Sequence, residues 1–302
     1  MSPKSNNTPN ILVVDDESQN LEIIQEYLAD EVCCKPILYS DSLKAWQELE
    51  TNPTTCDVIL LDWMMPELDG LEMLYRIKQH PELRFTPVIM QTARTEKQDI
   101  LKGLAAGAFY YLTKPYSYDE LVQIIKAALD DVMRFRELEA LLQNSDKSKT
   151  ISTGAEFNIK NLNDADHLAS VLANSCPEPD KVITGISELL INAIEHGNLQ
   201  IGYKEKSQLK KQGSWREEIE RRLQLPEYQD KVAEVTYSKN GKNINITITD
   251  QGSGFDWHKF LEFSPERAFD SHGRGIAMAK IMSFDEISYN EAGNQVTATI
   301  AL

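Results

Sequence analysis

The reading of this chain turns on Glu188-Leu189-Leu190-Ile191-Asn192-Ala193-Ile194-Glu195-His196-Gly197. Apolar residues recur at Ile183, Ile186, Leu190 and Ala193, which predicts a helix, and Gly197 is expected to stop it. Glu188 and Asn192 are four apart, so their side chains share one face. A carboxylate and a carboxamide beside an apolar stripe suit a site that holds a cation and accepts a proton. A solvated edge of a core helix is the plainer alternative for these two residues alone.

Two downstream stretches strengthen the first reading. Asn243-Ile244-Asn245-Ile246-Thr247-Ile248-Thr249 alternates like a strand and runs into Asp250-Gln251-Gly252-Ser253-Gly254-Phe255. Then His272-Gly273-Arg274-Gly275-Ile276 is a glycine-rich turn opening a helix. Such turns permit close backbone approach to a ligand, and a helix N-terminus favours phosphate. A strand-end carboxylate such as Asp250 can accept a hydrogen bond from an amino group such as that of adenine.

In this order and spacing the three stretches resemble the GHKL superfamily of ATP-binding domains, most of all its anti-sigma-factor serine kinases, over roughly Phe157 to Leu302. No G-x-x-x-x-G-K-[ST] phosphate loop occurs. The resemblance implies an α/β two-layer sandwich that uses ATP and magnesium. It gives Glu188 the part of general base on a substrate hydroxyl and Asn192 that of magnesium ligand. Asp250 would hold adenine. Gly252, Gly254, Gly273, Arg274 and Gly275 would form the rest of the nucleotide site.

The N-terminal half alternates strands and helices: Ile11–Val14, Ile37–Tyr39, Val58–Leu61, Val88–Met90 and Phe109–Leu112 as strands, with helical spacing between them. That pattern predicts a parallel sheet covered on both faces, with ligands at the C-terminal strand ends. Asp15, Asp16, Asp62, Thr92 and Lys114 all fall there. Each pair of converging carboxylates repels by about 4 kcal/mol at ~4 Å and an effective dielectric of ~20. Magnesium relieves that repulsion and prefers oxygen ligands. Asp62 could then accept a phosphoryl group as a nucleophile, with Lys114 paired to it and Thr92 donating to a phosphoryl oxygen. A helix N-cap for a lone aspartate, a turn for Thr92 and core packing for Tyr111 are the alternatives.

From Asn10 to about Ala128 this half resembles the response-regulator receiver domain, through Asp15-Asp16, Asp62 with Met65-Pro66 and Asp69-Gly70, Thr92-Ala93, Tyr111 and Lys114-Pro115. The resemblance implies a doubly wound five-stranded sheet, a phosphoacceptor at Asp62, a magnesium site at Asp15, Asp16 and Asp62, and a switch of Thr92, Tyr111 and Lys114. A cis bond is expected at Lys114-Pro115. The expected organisation is a disordered tail (1–10), a receiver (11–128), a helical connector and linker (129–150) and an ATP-binding domain (151–302). Leu121, Ile125, Ala128, Val132 and Phe135, then Leu138 and Leu142, read as a dimer seam along the connector or as packing within the chain.

At 302 residues with a formal charge of −16, the chain is large enough for two cores and is a poor match to nucleic acid. Cys33, Cys34, Cys56 and Cys176 form no C-x-x-C pair, and no apolar run is long enough to span a membrane. A cytoplasmic location without a signal peptide is expected. His167 precedes the second domain without the two-helix hairpin of a histidine kinase, so a surface or packing role is expected. Residues 202–231 are an insertion, with one helix expected from Trp215 to Leu225. The whole reads as a response regulator controlling a serine/threonine kinase that acts on a STAS-type anti-anti-sigma protein. An upstream histidine kinase and a homodimer are the expected partners, and a sigma factor is a further one. The alternatives are an ATP-binding sequestration module and a hybrid histidine kinase.

Overall fold

The computed structural model describes residues 8–31, 34–93, 97–145, 150–261 and 275–302. The chain divides at Arg134 and Phe135 into two compact units.

The first unit has five strands: β1 (Asn10–Val14), β2 (Lys35–Tyr39), β3 (Val58–Asp62), β4 (Val88–Thr92) and β5 (Tyr110–Thr113). They alternate with α1 (Ser18–Glu31), α2 (Ser42–Thr51), α3 (Gly70–Gln79), α4 (Lys97–Ala105) and α5 (Tyr118–Asn144). The sheet is parallel throughout, in the order β2-β1-β3-β4-β5. Every residue of β3 and β4 is buried, as central strands covered on both faces are. Leu12, Ile59, Leu61 and Met90 join one core layer, and Ile11, Val13, Leu60 and Ile89 the other. The register places Asp62 beside Gln91 and Thr92 beside Thr113, so the strand-end residues share one rim.

The second unit is a two-layer sandwich. Its antiparallel sheet runs β6 (Gly154–Ile159), β7 (Ala233–Lys239), β8 (Asn243–Thr249), β10 (Gln295–Ala301), β9 (Glu286–Tyr289). Burial alternates along β7, β8 and β10, so one face is covered and the other is not. The covering layer includes α6 (Leu162–Asn174), α7 (Pro179–Asn192) and α10 (Gly275–Met282). Val182, Ile183, Ile186, Leu189 and Leu190 of α7 reach the same core as Val235, Ile246, Ile248 and Ala298. Burying each such side chain stabilises the fold by roughly 1.5–3 kcal/mol. The insertion forms two helices, α8 (Tyr203–Gln212) and α9 (Trp215–Leu223), of which only the second was expected. β7 and β9 were also not anticipated.

Two expectations need correction. Gly197 does not end the helix: α7 passes into a single π-helical turn, Ala193–Asn198. Asn10 already belongs to β1, and the rest of the expected tail lies largely outside the described residues. The helical connector is the continuation of α5 past the first unit. α5 is one 27-residue helix, and Leu121, Ile125 and Ala128 are buried in the first unit. Leu138 and Leu142 are buried in the core of the second. Their spacing records packing within the chain.

Candidate functional site

In the first unit, Asp15 and Asp62 are almost wholly buried at the rim where β1 and β3 end. Lys114, just past β5, ties them together: its Nζ donates to Asp15 Oδ2 at 2.7 Å and to Asp62 Oδ1. Asp62 Oδ2 accepts the backbone N–H of Met64 at 2.8 Å, and Asp15 accepts from Glu17 N and Asn20 Nδ2. Burial pushes the Asp62 carboxyl above its ordinary range, and Lys114 pulls it partway back. Burial alone would lower the Lys114 ammonium, but its bonds to Asp15 and Asp62 outweigh it and the net shift is upward. The Lys114-Pro115 bond is cis.

Asp16 is exposed, and among the described residues no three His, Cys, Asp or Glu side chains cluster. The expected convergence of three carboxylates is met by two. Two carboxylates still fit magnesium, which often binds through one or two and fills its shell with water or phosphate oxygen. Thr92 is buried at the same rim, and its carbonyl accepts the N–H of Lys114. The Tyr111 ring is buried against Trp63, 6.0 Å between centroids. Its hydroxyl points at Gly103, where a Cβ would overlap it.

In the second unit, Asn192 Nδ2 donates to Glu188 Oε1 at 3.2 Å, as the four-residue spacing requires. Gly275, at the start of α10, lies against that carboxylate, and a Cβ there would overlap it. Asp250, at the end of β8, accepts the N–H of Gly252 at 2.8 Å. Burial raises its carboxyl to about 6, against the pull of Gly252 and Lys231. Burial raises the Tyr289 hydroxyl, with further upward pushes from Glu188 and Asp250. The sequence signal of Tyr289 is only an aromatic at the end of a four-residue strand. The π-turn that continues α7 past Asn192 brings Gly197 against the Asp250 side chain.

The glycines of the first turn serve the chain's own close contacts. Gly252 abuts the carbonyl of Gly197, and Gly254 (φ 77°) abuts the carbonyl of Ala292. Gly273 and Arg274 lie outside the described residues. The π-turn is braced from the insertion. Lys206 Nζ reaches the fully buried Glu195 at 3.0 Å, Arg222 donates to the carbonyl of Leu199, and Lys231 to that of Asn198. Asn198 Oδ1 accepts Gln251 N at 2.8 Å, linking the π-turn to the Asp250 turn. His167 is exposed on α6.

Residues 11–126 match the response regulator receiver domain, and residues 164–300 match the histidine kinase-like ATPase domain. The phosphate regulon transcriptional regulatory protein PhoB of Rhizobium meliloti is 37% identical over 123 residues, 40% of this chain and 52% of that protein. PhoB of Escherichia coli is 39% identical over 119 residues, 39% of this chain and 51% of that protein. The chain thus spans about half the length of the curated relatives it matches. The Francisella response regulator 1452 receiver domain is 32% identical with a TM-score of 0.37, covering 42% of this chain and 98% of its own.

The first unit is a receiver domain of the two-component signalling class. The chain joins it to a GHKL-type, histidine-kinase-like ATPase domain. No helix among the described residues is long and apolar enough to cross a membrane.

Proposed function

We propose that aspartyl phosphorylation of the first unit controls an ATP-dependent protein serine/threonine kinase of the partner-switching type in the second. The observation that carries the kinase reading is Glu188, hydrogen-bonded to Asn192 and against Gly275, on a helix whose π-turn sets Gly197 against Asp250. A base, a metal-binding amide and an adenine acceptor then line one site.

In the receiver, an Asp62 oxygen attacks the phosphorus of a phosphohistidine on an upstream kinase. The P–N bond breaks, and the imidazole leaves and takes a proton. Asp15 and Asp62 would be the carboxylate donors for magnesium, with water or phosphate oxygen filling its shell. The metal, when bound, neutralises charge on the transferring group. Lys114 moves from the carboxylates to the new phosphoryl oxygens, and Thr92 and Tyr111 respond to the added charge.

In the second unit, Glu188 takes the proton of a serine or threonine hydroxyl, whose oxygen attacks the γ-phosphorus of ATP. The bond to the β-phosphate oxygen breaks and ADP leaves. Asn192 would hold a magnesium ion that neutralises phosphate charge, Asp250 would accept the adenine amino group, and the α10 N-terminus would favour the phosphates. The proposed substrate is a STAS-domain anti-anti-sigma protein, and a sigma factor is a second partner. A homodimer along α5 completes the proposal, on the side where Met133 is 60% exposed.

The test captures partners on the full chain, with and without beryllofluoride, and maps phosphosites after ATP is added. The expected result is a phosphoserine or phosphothreonine on a captured partner that is lost in Glu188→Ala. ATP binding by the wild type with no phosphorylated partner would end the kinase reading and leave a nucleotide-gated binding module.

A further inference from the structure

Gln91 is an unusual residue for its position. It lies on the fully buried strand β4, between Met90 and Thr92, with no exposed surface. A core strand facing helices on both sides ordinarily carries apolar residues there. Its Oε1 accepts the hydroxyl of Tyr116, and its Nε2 is buried with no acceptor among the described residues. An unmade buried hydrogen bond is costly, so the carboxamide at this place calls for a compensating role.

Its location suggests one. Gln91 pairs in register with Asp62, and its carbonyl accepts the N–H of Trp63, the residue after Asp62, at 2.8 Å. Its side chain holds Tyr116, two residues after Lys114 in the segment joining β5 to α5. One residue thus grips both banks of the site, the acceptor carboxylate's strand by its backbone and the lysine's segment by its side chain. A backbone bond from Lys114 N to the carbonyl of Thr92, 2.8 Å, holds the same bank. Lys114 Nζ must leave Asp15 and Asp62 for a phosphoryl oxygen without losing its aim. A transition-state contact of that kind is sensitive to small misplacements of the group that makes it.

We propose that Gln91 is a positioning residue for phosphoryl transfer to Asp62, acting through the Tyr116 hydroxyl to hold the Lys114 segment. The inference rests on Asp62 being the phosphoacceptor.

The test compares wild type, Gln91→Met, Tyr116→Phe and the double variant as full chains. Acetyl phosphate with magnesium is the phosphoryl donor, uptake is followed by intact mass, beryllofluoride binding is measured in parallel, and thermal unfolding is recorded. Gln91→Met keeps the volume and removes the buried donor that lacks an acceptor, so it unfolds no earlier than wild type. Tyr116→Phe strips the carboxamide of its one partner and unfolds earlier. Both slow phosphoryl uptake by about three- to tenfold, the size of one neutral hydrogen bond, and the double variant is no slower than either. Opposite stabilities with a common kinetic loss are what a merely structural role would not produce. Wild-type uptake in Gln91→Met, or a loss that follows stability alone, overturns the inference while leaving Asp62 as the acceptor. A wild type that neither takes up phosphate nor binds beryllofluoride overturns both.

Discussion

Gly197 sits so close to Asp250 that a Cβ on it would overlap the aspartate side chain. The absent side chain is what lets the π-turn and the end of β8 approach. Gly197→Ala should push Asp250 off its bond to Gly252. An affinity for an ATP analogue weakened by about tenfold, the scale of one charge-assisted hydrogen bond, is the expected outcome by calorimetry, with the circular dichroism spectrum retained. Unchanged affinity would mean that Asp250 does not touch the nucleotide.

Asp250 also sets a pH dependence. Its carboxyl titrates at about 6 in the fold, above the 3.8 of a free aspartate. A raised acid disfavours the fold once ionised, so this group's penalty is full above pH 6 and is relieved as pH falls toward 4. Nucleotide binding runs the other way, because the adenine amino group needs the ionised acceptor. Affinity should fall roughly fourfold between pH 7.5 and 5.5 as the competent fraction drops. Asp250→Asn should flatten that profile.

Lys114→Met would leave Asp15 and Asp62 buried without their shared cation. Loss of one partner from a buried ion pair costs about 3 kcal/mol or more, a fall on the order of 10 °C in the receiver's melting point. The deficit should narrow at pH 4. Asp62 has a raised pKa, so its proton uptake favours the folded state as pH falls through it. A deficit that is constant from pH 7 to 4 would contradict the pairing.

Lys206→Met should destabilise the second unit by about 3 kcal/mol, because Glu195 is fully buried and among the described residues is left with His196 at 3.5 Å. The double change with Glu195→Gln removes the stranded charge and should recover part of that loss in a urea melt. Additive losses would show that the two groups do not interact.

Much of the receiver was legible because its strands are unbroken apolar runs and its polar residues stand at their ends. Asp15, Asp62, Thr92 and Lys114 meet where that pattern puts them. Asp16 does not join them, since adjacent residues at a strand end point different ways and only Asp15 turns inward. In the second unit, i,i+4 spacing brought Glu188 to Asn192. Nothing local announced α8, whose sequence is almost wholly polar and shows no period. It is held from outside by the Lys206–Glu195 pair. Gly197 reads as a stop in the sequence because a missing Cβ has two uses, and only the neighbouring chain decides between them. Tyr289 and Gln91 were silent for the same reason: each matters through a partner distant in sequence.

The helix that begins at Tyr118 has a practical consequence for dissecting this molecule. Its Leu121, Ile125 and Ala128 belong to the core of the first unit, and its Leu138 and Leu142 are interior side chains of the second. A fragment begun at Thr150, where the linker was expected to end, would be a protein with two plugs pulled out. Its weakness would be an artefact of the scissors, and a regulatory effect ascribed to removing the receiver would need a fragment that starts upstream of Leu138.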